Sequence, residues 1–353
     1  MEEAVSALPL ADPGMPVEIG RIDKELGKLW ESSGDTKTRA SLINLVVYTE
    51  NADGLAADHE VLSAVAARHA CRAILIHGNP RAATSAARAW ITAHCHIANK
   101  GSRQICSEQI TFQLDGEAAF ALPNIVFSHL DSDLPLCLWW KGNFPEPLDE
   151  KLWAWVDRVV FDSASWDRPA HQFAIIRHIS TGQKHQTVLC DLNWTRLHAW
   201  RFALASLFDH ASAFPHLSSV ASVRLEAGPD GRTAAHLLLG WLASRLGWTI
   251  SGEEGFFETS GGARVAFSIA PDSVPALSGI VIECPEASFD LHLSKNGDFF
   301  ESLIRMPGLE PSRQVLPAPR TRPEDTLLAE LSRAGRHPLY TESLERVLPL
   351  IGH

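Results

Sequence analysis

Closely spaced cysteines are missing from this sequence: its six, at positions 71, 95, 106, 137, 190 and 284, never lie nearer than eleven residues apart. That spacing excludes CxxC redox motifs and zinc-ribbon clusters. Cys71, Cys137 and Cys190 sit within or beside apolar runs, where a thiol serves as a small hydrophobe, so reduced, structural cysteines are expected. Long apolar runs are missing too. Leu42 to Tyr48 and Leu237 to Leu246 fall far short of the roughly 20 residues needed to cross a bilayer, so no membrane association by a spanning helix is expected. The opening Met1-Glu2-Glu3 is acidic and lacks the basic and apolar regions of a secretory signal, which makes a cytoplasmic location the expectation.

Positive charge is scarce and scattered. With 31 Lys and Arg against 42 Asp and Glu the formal net charge is -11, and no basic stripe is available to neutralise phosphates, so nucleic acid is not an expected partner. The mildly basic run from Arg168 to Lys184 reads as a solvated helix face. GxGxxG, GxSxG and HExxH are all absent, and with them the commonest local signatures of dinucleotide, hydrolase and metalloprotease chemistry.

What is present is an ordinary globular composition, 45% hydrophobic and 21% charged, over 353 residues. That length exceeds the usual ceiling of roughly 250 to 300 residues for a single core, so two domains are expected. The pattern predicts an N-terminal arm over 1–35, with one helix near Ile22 to Trp30 and a polar turn at Ser32-Ser33-Gly34-Asp35. An α/β domain follows over 36–188, with a mostly parallel or mixed sheet covered by helices. Its elements are a buried strand at Leu42 to Tyr48, a helix over 58–70 with Val61, Val65 and Ala66 on one stripe, and a strand at 72–77. A hairpin over 89–97 and 104–114, turning at Asn99-Lys100-Gly101-Ser102, leads to a helix near 118–130 and strands at 134–140 and 158–162. Past a boundary loop at Thr181-Gly182-Gln183-Lys184, an α+β domain over 189–310 has helices near 193–210 and 233–246 and strands at 220–226 and up to about 305. A Pro-rich linker and terminal helices fill 311–353.

Four groups of residues invite a chemical reading. His94-Cys95-His96, with Cys106 on the partner strand, could present three zinc ligands. No fourth ligand is near, and alternating histidines on a half-exposed strand suit a solvated surface, so no metal and no cofactor is expected. Asp131 and Asp133 lie in a Ser- and Asp-rich turn, where carboxylates hold loop backbone. Gly228-Pro229-Asp230-Gly231-Arg232-Thr233 joins a strand to a helix, the context in which helix amides bind anions. It departs from the Walker spacing, and a tight turn capped by Thr233 explains it equally, so Gly228, Gly231, Arg232 and Thr233 form a candidate anion site.

The fourth group is tryptophan, with seven of eleven between Trp139 and Trp200. Trp139 and Trp140 end a strand and point to opposite faces, which suggests that one meets a domain junction or a partner. The segment from Asp191 opens with capping residues and continues with Asn193, Trp194, Arg196, Trp200 and Arg201 at helical spacing. Apolar contacts on more than half its circumference suit burial, and Arg196 and Arg201 then need carboxylate or carbonyl partners. These eight residues, Trp139, Trp140, Asp191, Asn193, Trp194, Arg196, Trp200 and Arg201, are the expected partner-binding or junction residues, and none is expected to be catalytic.

Several strings in order resemble the OpcA family of glucose-6-phosphate dehydrogenase assembly proteins: Asn44-Leu45-Val46-Val47, Cys106-Ser107-Glu108-Gln109-Ile110, Asp133-Leu134-Pro135 running into Leu138-Trp139-Trp140-Lys141-Gly142, and Asp157 to Ser163. Asp191-Leu192-Asn193-Trp194-Thr195-Arg196-Leu197 with Trp200-Arg201, and Leu239-Gly240-Trp241 to Trp248, complete the set. The resemblance implies a non-catalytic protein that binds glucose-6-phosphate dehydrogenase, promotes its active oligomer and supports the oxidative pentose phosphate pathway. The alternative is an enzyme or sensor that binds a sugar phosphate or nucleotide at the 228–233 turn.

Overall fold

The computed structural model describes residues 10, 12–31, 37–39, 41–97, 104–181, 187–274, 276–333 and 335–351. The polar turn at 32–35, the hairpin turn at 99–102 and the boundary loop at 182–184 lie outside these residues. The chain forms two compact units, each assembled from separated stretches: Met1–Phe161, Ile175–Cys190 and Pro323–Ala334 in the first, Asp162–Ala174, Asp191–Arg322 and Gly335–His353 in the second. This differs from the expected contiguous domains at 36–188 and 189–310, because the helix Pro323–Leu331 packs on Leu55–Ala66 of the first unit, while Pro338–Val347 packs on Arg232–Leu246 of the second.

The first unit is built on a nine-stranded mixed sheet. Its strands are β1 (Met15–Val17), β2 (Lys37–Arg39), β3 (Ile43–Thr49), β4 (Cys71–Asn79), β5 (Ala86–Ile97), β6 (Gln104–Asp115), β7 (Leu136–Trp140), β8 (Arg158–Phe161) and β9 (Val188–Asp191). They run in the order β1-β5-β6-β4-β3-β7-β8-β9, with β2 beside β6. The central pairs are parallel and the β5–β6 hairpin is antiparallel. Leu45, Val46, Val47, Ile74, Leu75 and Ile76 have no exposed surface, as a strand covered on both faces requires. The helix expected over 58–70 occupies Leu55–Ala66 instead, and its buried stripe is Leu55, Asp58, Leu62, Val65 and Ala66. Gly54, not a side chain, stands at its N-cap.

The second unit carries an eight-stranded sheet of β10 (Ser222–Ala227), β11 (Thr249–Ile250), β12 (Phe256–Glu258), β13 (Arg264–Pro271), β14 (Leu277–Glu283), β15 (Ser288–Leu293), β16 (Phe299–Arg305) and β17 (Ser312–Pro317). The order is β11-β12-β13-β10-β14-β15-β16-β17, and only β10 and β13 pair in parallel, joined across the helix Arg232–Leu246. Part of the stretch read as a Pro-rich linker, Ser312–Pro317, forms an edge strand, β17, which ends on Pro317 opposite Phe299. The helix expected over 193–210 is broken at Leu197 into Leu192–Arg196 and His198–Ser206. Trp200 packs edge-on against Phe300 of β16, with ring centroids 4.8 Å apart.

Candidate functional site

Two short capping turns in the second unit lock onto each other. Asp162 caps the 3-10 turn Ser163–Ser165, accepting the Ala164 amide at 3.1 Å. Asp191 caps the helix Leu192–Arg196, accepting the Asn193 amide at 3.0 Å. Asp191 also accepts the Ser163 amide at 3.1 Å, the Ser163 hydroxyl at 2.7 Å and the Tyr340 hydroxyl at 3.3 Å. Asn193 Nδ2 donates to Ser163 Oγ at 3.1 Å, and Arg196 reaches back to Asp162 at 2.6 Å. Burial first of all, and Asp162 nearby, push the Asp191 carboxyl up to about 7, against the hydrogen bonds from Ser163 that favour its charged form.

The Trp-rich residues complete this framework. Trp194 is buried beside Tyr340, and the Arg201 guanidinium lies 3.7 Å from its ring centroid while donating to the Trp194 carbonyl at 2.9 Å. Arg196 and Arg201, expected to need carboxylate or carbonyl partners, meet the Asp162 carboxylate and the Trp194 carbonyl. Trp139 and Trp140 lie in the first unit on β7, a central strand, and each is only 5% exposed. Trp140 stacks on Tyr48 at 4.2 Å, and its indole N–H donates to the Asn143 carbonyl. Of the eight residues singled out, Trp139, Trp140, Asp191, Asn193, Trp194 and Trp200 are all buried. Opposite faces of β7 are both covered, so neither tryptophan is left on the surface.

The turn held by Asp191 forms one wall of a cavity of about 490 Å³. Ala164, Ser165, Trp166, Asp167 and Pro169 line that wall, and Pro229, Asp230, Arg232, Thr233 and His236 line the other. The second wall is thus the candidate anion turn. Gly231 is needed there for close approach: a Cβ would sit 2.4 Å from the backbone of Ala276 and Leu277. Gly228 donates its amide to the Ala276 carbonyl at 3.1 Å, tying the turn to the start of β14. Thr233 lies inside the helix, whose N-cap is Gly231, so its expected capping role is not the one it plays. Ser163, Tyr340, Trp166 and His236 belong to this region and were not picked from the sequence. Ser163 closes one of the family-like strings, whereas nothing around Tyr340 marks it.

The remaining readings resolve in the first unit. Cys106 is disulfide-bonded, so its sulfur is not available as a zinc ligand, nor is it a reduced thiol. Residue 95 stands opposite it in the β5–β6 register. The side chains of Cys95 and His96 lie outside the described residues. His94 pairs instead with Gln109 at 2.7 Å. Cys71, Cys137 and Cys190 are buried free thiols, and burial pushes Cys71 and Cys137 up to about 12. The Asp131–Asp133 turn is held by Asn44, whose side chain donates to the carbonyls of Asp131 and Leu134 and accepts the Asp131 amide at 2.9 Å. Asn44→Ala should therefore destabilise the protein by about 2 kcal/mol, read from denaturant midpoints, by stranding these buried groups; Asn44→Asp should not recover it, because it cannot donate.

Residues 62–178 match the model of the glucose-6-phosphate dehydrogenase subunit N-terminal domain, and residues 187–344 that of its C-terminal domain, both named for OpcA. Among curated relatives, the OpcA of Nostoc punctiforme, named for the OxPP cycle, is 30% identical over 46% of this chain and 35% of its own length. The corresponding protein of Synechococcus elongatus is 30% identical over 45% of this chain and 36% of its own. The matched region thus spans little more than a third of these relatives' length. Among solved structures, a levoglucosan dehydrogenase in complex with NADH and L-sorbose aligns over 89% of this chain and 97% of its own, at 10% identity and a TM-score of 0.47.

Proposed function

Because this chain belongs to the OpcA family of glucose-6-phosphate dehydrogenase assembly proteins, we propose that it binds a glucose-6-phosphate dehydrogenase and promotes its active assembly as a non-catalytic subunit. The observation that carries the reading is the succession of the two family domains along the chain, N-terminal then C-terminal. The geometry supports it: the family-like strings are committed to interior architecture, with Asn44 holding a turn and Asp191 bridging two caps. Residues used in this way build the framework that carries a recognition surface.

In this reading the protein acts through differential affinity, holding the dehydrogenase in the assembly it binds more tightly. Co-purification with the dehydrogenase of its own genome, followed by assay of that enzyme with and without this protein, should give a stable complex with raised dehydrogenase activity. A folded protein that forms no complex and leaves the activity unchanged would overturn the proposal.

A further inference from the structure

Seven residues apart in the first unit, Phe120 and Phe127 lie on one stripe, where the 3-10 turn Gly116–Ala121 runs into the helix Leu122–His129. Phe120 is 76% exposed and Phe127 is half-buried. The Phe127 ring meets that of Trp155, with centroids 5.9 Å apart, and Trp155, at 66%, is the one exposed tryptophan among the described residues. Its backbone is held in place. Trp155 follows the helix Glu150–Trp153, its amide donates to the Leu152 carbonyl at 3.2 Å, and Leu152, Trp153 and Val156 on either side of it are buried. Folding thus fixes an aromatic cluster in solvent, where it gains nothing from burial until another surface covers it.

Charge selects what that other surface is. Between residues 116 and 157 the chain carries seven carboxylates against two lysines, and one of these, Lys141, is paired with the buried Asp58. In a 3-10 turn residues three apart eclipse, which sets the exposed Glu117 beside Phe120. Asp131 and the exposed Asp133 follow the helix that carries Phe127, in the turn held by Asn44. A partner with Arg or Lys around an apolar residue meets both features: its cations face the carboxylates, and a guanidinium stacks on the open side of Trp155. A second copy of this chain does not fit, since a two-fold contact through this face sets the acidic rim against itself on chains of net charge -11.

We propose that Phe120, Phe127 and Trp155, with the carboxylates around them, form the surface on which the dehydrogenase docks, through a basic and apolar patch of that enzyme. This rests on the reading of the protein as a partner of the dehydrogenase and adds to it the place and the chemistry of the contact.

The test measures binding of the dehydrogenase of the same genome to the full chain by surface plasmon resonance, with Phe202→Ala, at a position 68% exposed in the second unit, as the control that should bind like wild type. Trp155→Ala should weaken the complex about thirtyfold and Phe120→Ala about tenfold. Glu117→Lys combined with Asp133→Lys should slow association about tenfold, and wild-type affinity should fall as salt rises. Unfolding midpoints of the two aromatic variants should match wild type, and Phe120→Ala decides the matter should Trp155→Ala fail to fold. Wild-type affinity in both aromatic variants, or an equal loss in Phe202→Ala, would overturn this docking site and leave the complex itself standing. A chain that is dimeric by light scattering as wild type and monomeric as Trp155→Ala would assign the face to a second copy and overturn the site as well. A wild-type chain that binds no dehydrogenase would overturn the functional reading and this inference with it.

Discussion

Asp191→Ala should cost the protein about 4 kcal/mol, because it strands the buried amides of Ser163 and Asn193 together with the Ser163 hydroxyl. The carboxylate is 2% exposed, and water cannot replace it without opening the turn. Asp191→Asn should behave differently. One side-chain oxygen accepts both amides, and the other meets only the hydroxyls of Ser163 and Tyr340, which can rotate to accept from an amide nitrogen.

The same pair reports the charge. Burial raises the folded carboxyl from 3.8 to about 7, so between these values the folded state holds a proton that the unfolded state has released. The contribution is therefore fully present below about pH 4 and lost as pH rises through about 7, by roughly 4 kcal/mol at most. Urea titrations at pH 5 and pH 8 should show the wild type weakening relative to Asp191→Asn. Parallel loss in both proteins would show that Asp191 is ionised throughout.

Gly240→Ala should destabilise the second unit by about 2 to 4 kcal/mol, although alanine is the better helix former by about 1 kcal/mol. A Cβ at Gly240 would stand 2.2 Å from the Ser343 carbonyl oxygen and 3.0 Å from Val347 Cγ1, so the helices Arg232–Leu246 and Pro338–Val347 would have to separate. The control is Gly27→Ala at an exposed position of the helix Ile22–Glu31, where no neighbouring atom lies within 4 Å of the added carbon. There the same substitution should leave stability unchanged or raise it. Chemical denaturation of both variants checks the pair, and equal effects would contradict the packing argument.

These residues show what the sequence could reveal. Hydrophobic periodicity located β3, β4, the β5–β6 hairpin and the helix Arg232–Leu246, since each carries a pattern set by its own burial. Local spacing also showed that Arg196 and Arg201 would need partners. It could not show which, because Asp162 precedes Arg196 by 34 residues, and Tyr340 reaches Asp191 across 149. Nor could local pattern say what covers Trp139 and Trp140, one of which was expected to meet a domain junction or a partner and both of which are buried. Alternation fixes which face a side chain takes, but the covering of both faces of β7 depends on elements distant in sequence. Likewise Cys95 and Cys106 are eleven residues apart along the chain, too far for any short motif, yet register brings those positions opposite each other.

The division of the chain also bears on its synthesis. The polypeptide passes from one unit to the other at Phe161–Asp162, Ala174–Ile175, Cys190–Asp191, Arg322–Pro323 and Ala334–Gly335. A ribosome releasing residues in order delivers most of the first unit early and withholds the helix Pro323–Leu331 until the second unit's stretch Asp191–Arg322 has emerged. Until then the surface of Leu55–Ala66 that this helix covers stays open, and Arg68 lacks the Asp325 carboxylate that meets it at 2.5 Å. Neither unit can be excised as one uninterrupted fragment, so shortened chains and gene fusions cut at 188/189 would carry unfinished cores.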